Sequence, residues 1–246
     1  MADYIKILGI KINKLDLGQA IKEIDKFIIS EGNKYVVTPN SEMIVMAQKD
    51  KKLAHIINNS DLSVPDGAGV VLASKLNREK LSERVAGFDL MGALLNLASE
   101  EGYSIYLLGS KPGIVDITRD KILLKYPDLE ISGIHHGYLD KGLQKGVIEE
   151  INHLKPDILF VGMGVPLQEE FIYNNISTLR VKIAMTVGGS FDVLAEKVNR
   201  APIWMQRLNL EWLFRLIQEP RRIGRMTALP KFVYMVLMDY IKTKIY

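Results

Sequence analysis

Asp66 is the carboxylate best placed to act as a general base. It follows a short apolar segment at residues 62–64, stands directly after Pro65, and precedes a Gly-Ala-Gly turn that opens a helical segment. In an open α/β sheet this position lies in the crevice beyond the carboxyl ends of the strands, where ligands bind. A carboxylate there can take a proton from a hydroxyl group. The same position also favours an aspartate that caps the next helix, so spacing alone leaves both roles open.

Four other polar side chains follow predicted strands or lie near them, and they are candidates for substrate binding: Thr38, Asn40, Arg84 and Gln168. Thr38 and Asn40 offer neutral hydrogen bonds that suit hydroxyl or acetamido groups, although Asn40 could equally cap the next helix. Arg84 could hold an anionic group. Gln168 begins a helix after a glycine-rich loop and could bind a ligand or face solvent.

Three glycine-rich turns lead from predicted strands into helices. Glycine lets backbone N–H groups approach a phosphate, and the helix N-terminus adds partial positive charge. One such turn could be only a tight connection, but three in one sheet favour a nucleotide or sugar-phosphate ligand. None matches a dinucleotide fingerprint or a P-loop, which argues against hydride transfer and ATP hydrolysis. The turns are Gly109-Ser110-Lys111-Pro112-Gly113, Gly162-Met163-Gly164 and Gly188-Gly189-Ser190-Phe191-Asp192.

The residue composition predicts no metal site and no cofactor. The chain has no cysteine, which excludes thiolate catalysis and cysteine-based zinc sites, and it has no Asp-x-Asp pair to hold a divalent cation. A diphosphate bound here would have to be neutralised by basic side chains and helix N-termini. The C-terminal part of the sequence supplies candidates for this: Arg207, Arg215, Arg221, Arg222 and Arg225.

Short apolar runs alternate with helical segments up to residue 199, which predicts an α/β fold. We expect a Rossmann-like, mainly parallel sheet flanked by helices, with one additional strand at residues 4–12 near the sheet edge and a helix at 18–29. Asp89 is expected to cap a helix that begins at Leu90. The predicted strands are 35–38, 62–64, 104–108, 158–161 and 183–187, and the predicted helices are 41–48, 68–76, 114–126, 168–176 and 191–196.

The chain of 246 residues divides into a body, residues 1–199, and a basic helical appendage, residues 200–246, which we call the C-terminal segment. This segment has nine Lys or Arg against three acidic residues, whereas the body has a net charge of −3. Trp204 and Trp212 recur with leucines at helical spacing among the arginines. This pattern is typical of an interfacial membrane helix, but taken alone it favours a helix packed on the core with a solvated basic face. No signal peptide and no membrane-spanning segment are predicted.

The ordered set of motifs resembles the WecG/TagA/CpsF glycosyltransferases from about residue 5 to the early 220s, and is most similar to their TagA branch. The resemblance is carried by Thr38-Pro39-Asn40, Val64-Pro65-Asp66-Gly67, Glu83-Arg84-Val85-Ala86-Gly87-Phe88-Asp89, Leu108-Gly109-Ser110-Lys111-Pro112-Gly113, Gly162-Met163-Gly164-Val165-Pro166-Leu167-Gln168-Glu169, Val187-Gly188-Gly189-Ser190-Phe191-Asp192, Arg200-Ala201-Pro202, Glu211-Trp212 and Glu219-Pro220-Arg221-Arg222.

The resemblance implies an inverting transferase of wall teichoic acid linkage-unit synthesis with no absolute metal requirement. It would move N-acetylmannosamine from a UDP carrier to the N-acetylglucosamine of an undecaprenyl-diphosphate-linked acceptor, forming a β-1,4 linkage. Asp66 would be the general base, and Thr38, Asn40, Arg84 and Gln168 would surround the sugars. The loops at Gly109 and Gly188-Gly189 would hold the UDP portion.

The resemblance also implies a location in the cytoplasm, on the inner face of the cell membrane. The C-terminal segment would dock on the bilayer and bring Arg215, Arg222 and Arg225 over the diphosphate. The residues alone leave other possibilities open: a non-catalytic nucleotide-binding protein tethered to the membrane, or a family member that uses a different UDP-sugar. A homo-oligomer also stays open. A nucleic-acid partner is not expected, because the body is acidic and has no recognised reading module.

Overall fold

The computed structural model describes residues 2–76, 80–208, 210–218, 220, 224 and 227–245. Six parallel strands form the central sheet in the order β4-β3-β8-β7-β5-β6. The predicted α/β fold with a parallel sheet is therefore confirmed. The strands of this sheet are β3 (Lys34–Val37), β4 (Leu62–Ser63), β5 (Ile105–Gly109), β6 (Ile131–His135), β7 (Ile158–Gly162) and β8 (Ile183–Thr186).

Helices cover both faces of the sheet. The sheet side chains alternate between two cores, because successive residues of a strand point to opposite faces. The first core lies under α2 (Ser41–Ala47), α3 (Lys51–Asn58), α4 (Ala68–Leu76), α7 (Lys141–Leu154) and α8 (Leu167–Asn175). The second lies under α1 (Leu17–Ile29), α5 (Gly87–Glu101), α6 (Ile114–Lys125) and α9 (Ser190–Leu194).

The first residues form a hairpin, β1 (Tyr4–Ile7) and β2 (Ile10–Asn13), and not the single strand that was predicted. Leu8 and Gly9 both have positive φ, of 49° and 78°, as a tight two-residue hairpin turn requires. The hairpin lies beside β4, where Asn13 Oδ1 accepts a hydrogen bond of 2.8 Å from the backbone N–H of Ser63. Its position near the sheet edge agrees with the prediction.

Helix α5 begins at Gly87, three residues before the predicted start, and Ala86 occupies its N-cap position. Asp89 therefore lies inside the first turn and does not cap the helix. Both of its carboxylate oxygens pair with the guanidinium of Arg200, at 2.6 and 2.7 Å. The prediction for Asp89 was wrong because this distant arginine offers a stronger, charge-assisted partner than the helix amides do.

The described part of the C-terminal segment contains the helices α10 (Ile203–Arg207), α11 (Glu211–Gln218) and α12 (Ala228–Ile245). Helix α12 packs against α2 and α4. Phe232 and Val236 of α12 are buried within the first core. The last long helix is thus joined to the body by apolar packing, while the proposed division at residue 199 stays a prediction.

Replacement of Phe232 by alanine is expected to lower the free energy of unfolding by about 3–5 kcal/mol, because it empties a buried aromatic site. Urea unfolding followed by circular dichroism measures this loss. The matched control is Tyr234→Ala on the same helix, where the side chain is 64% exposed; a change within about 0.5 kcal/mol is expected there. Equally small effects at both positions would mean that α12 does not pack on the body in solution.

Candidate active site

A cavity of about 440 Å³ opens beyond the carboxyl ends of β3, β4 and β8. This is the edge of a parallel sheet at which ligands bind. The loops after these strands form its floor, and residues of α11 and α12, including Trp212 and Leu229, form part of its wall. Eight of the residues predicted from sequence line it: Thr38, Asn40, Asp66, Arg84, Gln168, Gly188, Gly189 and Arg215.

Asp66 lies at the floor of this cavity with a quarter of its side chain exposed. Burial raises the pKa of its carboxyl above the ordinary value, while Arg84, the backbone N–H of Gly87 and Arg215 act in the opposite direction. A carboxylate with a raised pKa and cavity access has the properties of a general base. The backbone N–H that stabilises this carboxylate belongs to Gly87 of α5 and not to α4, the helix that Asp66 precedes.

Thr38 and Gly87 fix the surroundings of Asp66. A β-carbon at Gly87 would lie 3.2 Å from Thr38 Oγ1 and 3.4 Å from Asp66 Oδ2. The glycine therefore lets the start of α5 approach both side chains closely.

Asn40 caps α2 by accepting a hydrogen bond of 3.0 Å from the backbone N–H of Met43, and it also lines the cavity. Its capping role is confirmed, and a role in ligand binding stays a prediction.

Arg84 joins Asp66 to the C-terminal segment. Its Nη2 lies 3.6 Å from Asp66 Oδ1 and also donates to Glu211 Oε2 of α11. The other carboxylate oxygen of Glu211 lies 3.3 Å from Arg200 Nε, and Arg200 pairs with Asp89 through two hydrogen bonds. Five charged side chains thus form one chain of ion pairs, which we call the arginine–carboxylate cluster: Asp66, Arg84, Glu211, Arg200 and Asp89.

The sequence motifs contained Glu211 and Arg200, but nothing in their spacing assigned them a role. Both belong to the C-terminal segment, far along the chain from Arg84, so only the folded structure brings the charges together. The Arg200 guanidinium also stacks on the ring of Phe88, with its Cζ 4.8 Å from the ring centroid. The only sequence signal for these residues is that they belong to the motifs Arg200-Ala201-Pro202 and Glu211-Trp212.

Gln168 is almost fully buried, so it does not face solvent as a helix start could have done. Its Oε1 accepts hydrogen bonds from the backbone N–H groups of Gly164 and Gly188, at 3.2 and 3.1 Å. Its Nε2 donates to Glu169 Oε1 at 2.7 Å, and burial raises the pKa of Glu169 to about 7. Gln168 therefore ties together the loops that follow β7 and β8 on one side of the cavity.

The other predicted residues that the structure describes, Gly109, Ser110, Gly162 and Asp192, do not line the cavity. Ser110 Oγ donates to Asp192 Oδ1 at 2.9 Å, and the backbone N–H of Ser110 donates to the carbonyl oxygen of Gly162 at 2.9 Å. Gly109 has a φ of 153°, and a β-carbon there would collide with the Gly162 carbonyl. The crossing of these two loops requires a glycine at position 109.

The residues that line the cavity and the residues beside it come together at Gly189. A β-carbon at Gly189 would lie 3.9 Å from Asp192 Oδ2 and 4.0 Å from Arg215 Nη1. Arg215, on α11, is thus close to the glycine-rich loop after β8 and lines the cavity. Three of the other candidate arginines, Arg221, Arg222 and Arg225, lie outside the described residues.

Among the residues that the structure describes, no group of three or more His, Asp or Glu side chains is arranged to hold a metal ion. The same described ranges contain no helix with the length and apolar character needed to span a membrane.

Residues 5–245 match the glycosyl transferase WecG/TagA/CpsF family. One relative is the N-acetylglucosaminyldiphosphoundecaprenol N-acetyl-beta-D-mannosaminyltransferase of Bacillus subtilis (strain 168), which is 38% identical over 83% of this chain and 79% of its own length. A protein of the same name from Staphylococcus aureus (strain MW2) is 33% identical over 98% of this chain and 94% of its own length. Because the family matches nearly the whole sequence, the chain belongs to the WecG/TagA/CpsF family of glycosyl transferases.

Proposed function

We propose that this glycosyl transferase moves N-acetylmannosamine from UDP-N-acetylmannosamine to the N-acetylglucosamine of an undecaprenyl-diphosphate-linked acceptor. The product is a β-1,4-linked disaccharide on the lipid, in the linkage unit of wall teichoic acid. The names of the two relatives support the transferred sugar and the acceptor. The observation that carries the mechanism is the position of Asp66, a carboxylate with a raised pKa on the cavity floor.

In the proposed reaction Asp66 takes the proton of the acceptor hydroxyl while that oxygen attacks the anomeric carbon. The attack comes from the face opposite UDP, so the new C–O bond forms as the bond to the diphosphate breaks, and the configuration inverts. Arg215 and the backbone N–H of Gly189 stabilise the negative charge that develops on the leaving UDP, while the backbone N–H of Gly188 stays bonded to Gln168. Thr38, Asn40 and Gln168 hold the sugars by neutral hydrogen bonds.

The donor and the stereochemistry are tested together by product analysis. We expect transfer from UDP-N-acetylmannosamine to a short-chain lipid-diphosphate N-acetylglucosamine, with a β-linked product by NMR. UDP-N-acetylglucosamine, which differs at one stereocentre, should give little or no product. An α-linked product would contradict the single-displacement mechanism, and preferred use of another UDP-sugar would contradict the donor assignment.

We also propose that the C-terminal segment docks on the inner surface of the cell membrane, where the acceptor lies. Three observations on α10 and the residues around it support this. Ile203, Trp204 and Leu208 are each at least 60% exposed, Arg207 stands among them, and the segment carries a net charge of +6. Exposed apolar side chains beside basic residues favour the boundary between acyl chains and anionic headgroups.

Replacement of both Trp204 and Leu208 by serine is expected to weaken binding to phosphatidylglycerol-containing vesicles by at least about tenfold, because two apolar side chains no longer enter the bilayer. Vesicle co-sedimentation measures this. The control is Leu124→Ser, which changes an apolar residue that is 79% exposed on α6 of the body. Equal binding by both variants would place the docking surface elsewhere.

A further inference from the structure

Glu211 makes contacts that the proposed reaction does not use. It lies on α11 with its side chain 18% exposed, and its two oxygens face the guanidinium groups of Arg84 and Arg200. The Arg84 Nη2 that donates to Glu211 is the same nitrogen that lies 3.6 Å from Asp66 Oδ1. One nitrogen thus faces two carboxylates, and the closer of the two is Glu211.

We propose that Glu211 is a positioning residue for Arg84, which it keeps from forming a close, bidentate ion pair with Asp66. One oxygen of Asp66 then stays free for the acceptor hydroxyl. This inference rests on the proposed function, in which Asp66 is the general base. It assigns to the C-terminal segment a task at the reacting atoms in addition to membrane docking.

The geometry around Arg84 supports this assignment. An arginine beside a lone carboxylate tends to form two parallel hydrogen bonds of about 2.7–2.9 Å. The 3.6 Å separation between Arg84 Nη2 and Asp66 Oδ1 is longer than a hydrogen bond, and Arg84 Nε is buried without a hydrogen-bond partner among the described residues. The donor groups of Arg84 are therefore not turned fully onto Asp66, and the ion pair with Glu211 accounts for that.

The charges that face Asp66 also support the role proposed for Glu211. Arg84 and Arg215 favour its ionised form, as does the backbone N–H of Gly87, whereas Glu211 opposes it. If Glu211 were neutral, Arg84 would be free to pair closely with Asp66, and one repulsive negative charge would be lost. Both changes lower the pKa of Asp66, which makes it a weaker base and occupies the oxygen that has to accept the proton.

The second oxygen of Glu211 is fixed by Arg200, which is itself held by Asp89 and stacked on Phe88. This arrangement keeps the carboxylate of Glu211 in one orientation between the two guanidinium groups. A side chain that served only to attach α11 to the body would not need to contact the arginine nearest to Asp66.

The test is the Glu211→Gln variant, assayed with a soluble acceptor analogue so that membrane binding does not contribute. We expect kcat to fall about tenfold while the KM for the donor stays within about twofold. We also expect the acid limb of the kcat/KM profile, which reports the ionisation of Asp66 in the free enzyme, to move to lower pH. Glu211→Asp keeps the charge and should leave the acid limb at its wild-type position.

The matched control is Gln218→Ala, at the other end of α11. Gln218 anchors this helix through two hydrogen bonds to the backbone of Asn199, at 3.2 and 3.1 Å. If Gln218→Ala loosens the helix it can lower the rate, but it should not move the acid limb, because Gln218 carries no charge and its hydrogen bonds go to the backbone of Asn199. Circular dichroism of each variant checks that the fold is retained.

Two results would overturn the inference. Equal loss of rate in Glu211→Gln and Gln218→Ala, with both acid limbs unmoved, would mean that Glu211 only attaches α11 to the body. Tighter UDP binding with a higher kcat in Glu211→Gln would mean that Glu211 competes with the diphosphate for Arg84. Failure of the proposed function is distinct from both, because it would appear as an Asp66→Asn variant that still turns over.

Discussion

The Asp66→Asn variant is expected to lose between about 10²- and 10⁴-fold in turnover, which is the usual contribution of a general base. Asparagine has nearly the same shape as aspartate, so the cavity should keep its form and UDP should still bind. Removal of a negative charge close to the diphosphate should leave the affinity for UDP unchanged or slightly higher. Turnover by steady-state kinetics and UDP affinity by calorimetry are the two measurements.

A suitable control for this variant is Asp50→Asn, which makes the same chemical change at a distance from the cavity. Asp50 caps α3 by accepting a hydrogen bond of 3.0 Å from the backbone N–H of Leu53, and asparagine caps helices equally well. Its activity should equal that of the wild type. Turnover of Asp66→Asn within tenfold of wild type would remove Asp66 from the mechanism and would favour a role that is structural only.

The Arg215→Gln variant is expected to lose about 100-fold in kcat, because the cavity then lacks the arginine of α11 that faces the glycine-rich loop after β8. The effect should be larger on kcat than on the KM for the donor if the charge of the diphosphate grows as the sugar leaves. The assay again uses a soluble acceptor analogue and separates kcat from KM.

Arg207→Gln serves as the comparison, since Arg207 ends α10, is exposed, and does not line the cavity. It should keep wild-type kinetics with the soluble acceptor. A similar loss of kcat in both variants would mean that the rate depends on the overall charge of the C-terminal segment. It would contradict a specific contact between Arg215 and the diphosphate.

The features that depend on local sequence were predictable. Each of the five predicted strands of the sheet is followed directly by Gly or Pro, and this pattern is sufficient to place their βα loops at one edge of a parallel sheet. Strand β6, which His136 follows, lacks this signal and was not predicted. Asn40 as a helix cap and Asp66 at a strand end follow from the same local reasoning. Eight of the predicted residues consequently line one cavity.

The features that depend on tertiary contacts were not predictable. Asp89 in an -Ala-Gly-Phe-Asp-Leu- stretch has the pattern of a helix cap, yet its partner is an arginine from the C-terminal segment. Gln168 has the spacing of an exposed helix start, but two backbone N–H groups and a buried glutamate enclose it. The partner of Asp89 lies 111 residues away in sequence, and the loop after β8 that Gln168 contacts lies 20 residues away, so local spacing reveals neither contact.

The roles of Arg84 and Glu211 show the same limit within the cavity. Arg84 could be recognised as a binder of an anion, but the sequence does not reveal that a carboxylate of this same chain already faces it. Placement of that carboxylate requires the docked position of α11, which depends on packing between the C-terminal segment and the body. The electrostatic surroundings of Asp66 are therefore a property of the fold and not of any motif.

The proposed transfer is tested most directly by the release of UDP from UDP-N-acetylmannosamine, with and without a lipid-diphosphate N-acetylglucosamine analogue, in the presence and absence of EDTA. We expect release that depends on the acceptor and survives EDTA. No release from any UDP-sugar by protein that binds UDP would contradict it, and would point to a membrane-tethered nucleotide-binding protein without catalytic activity.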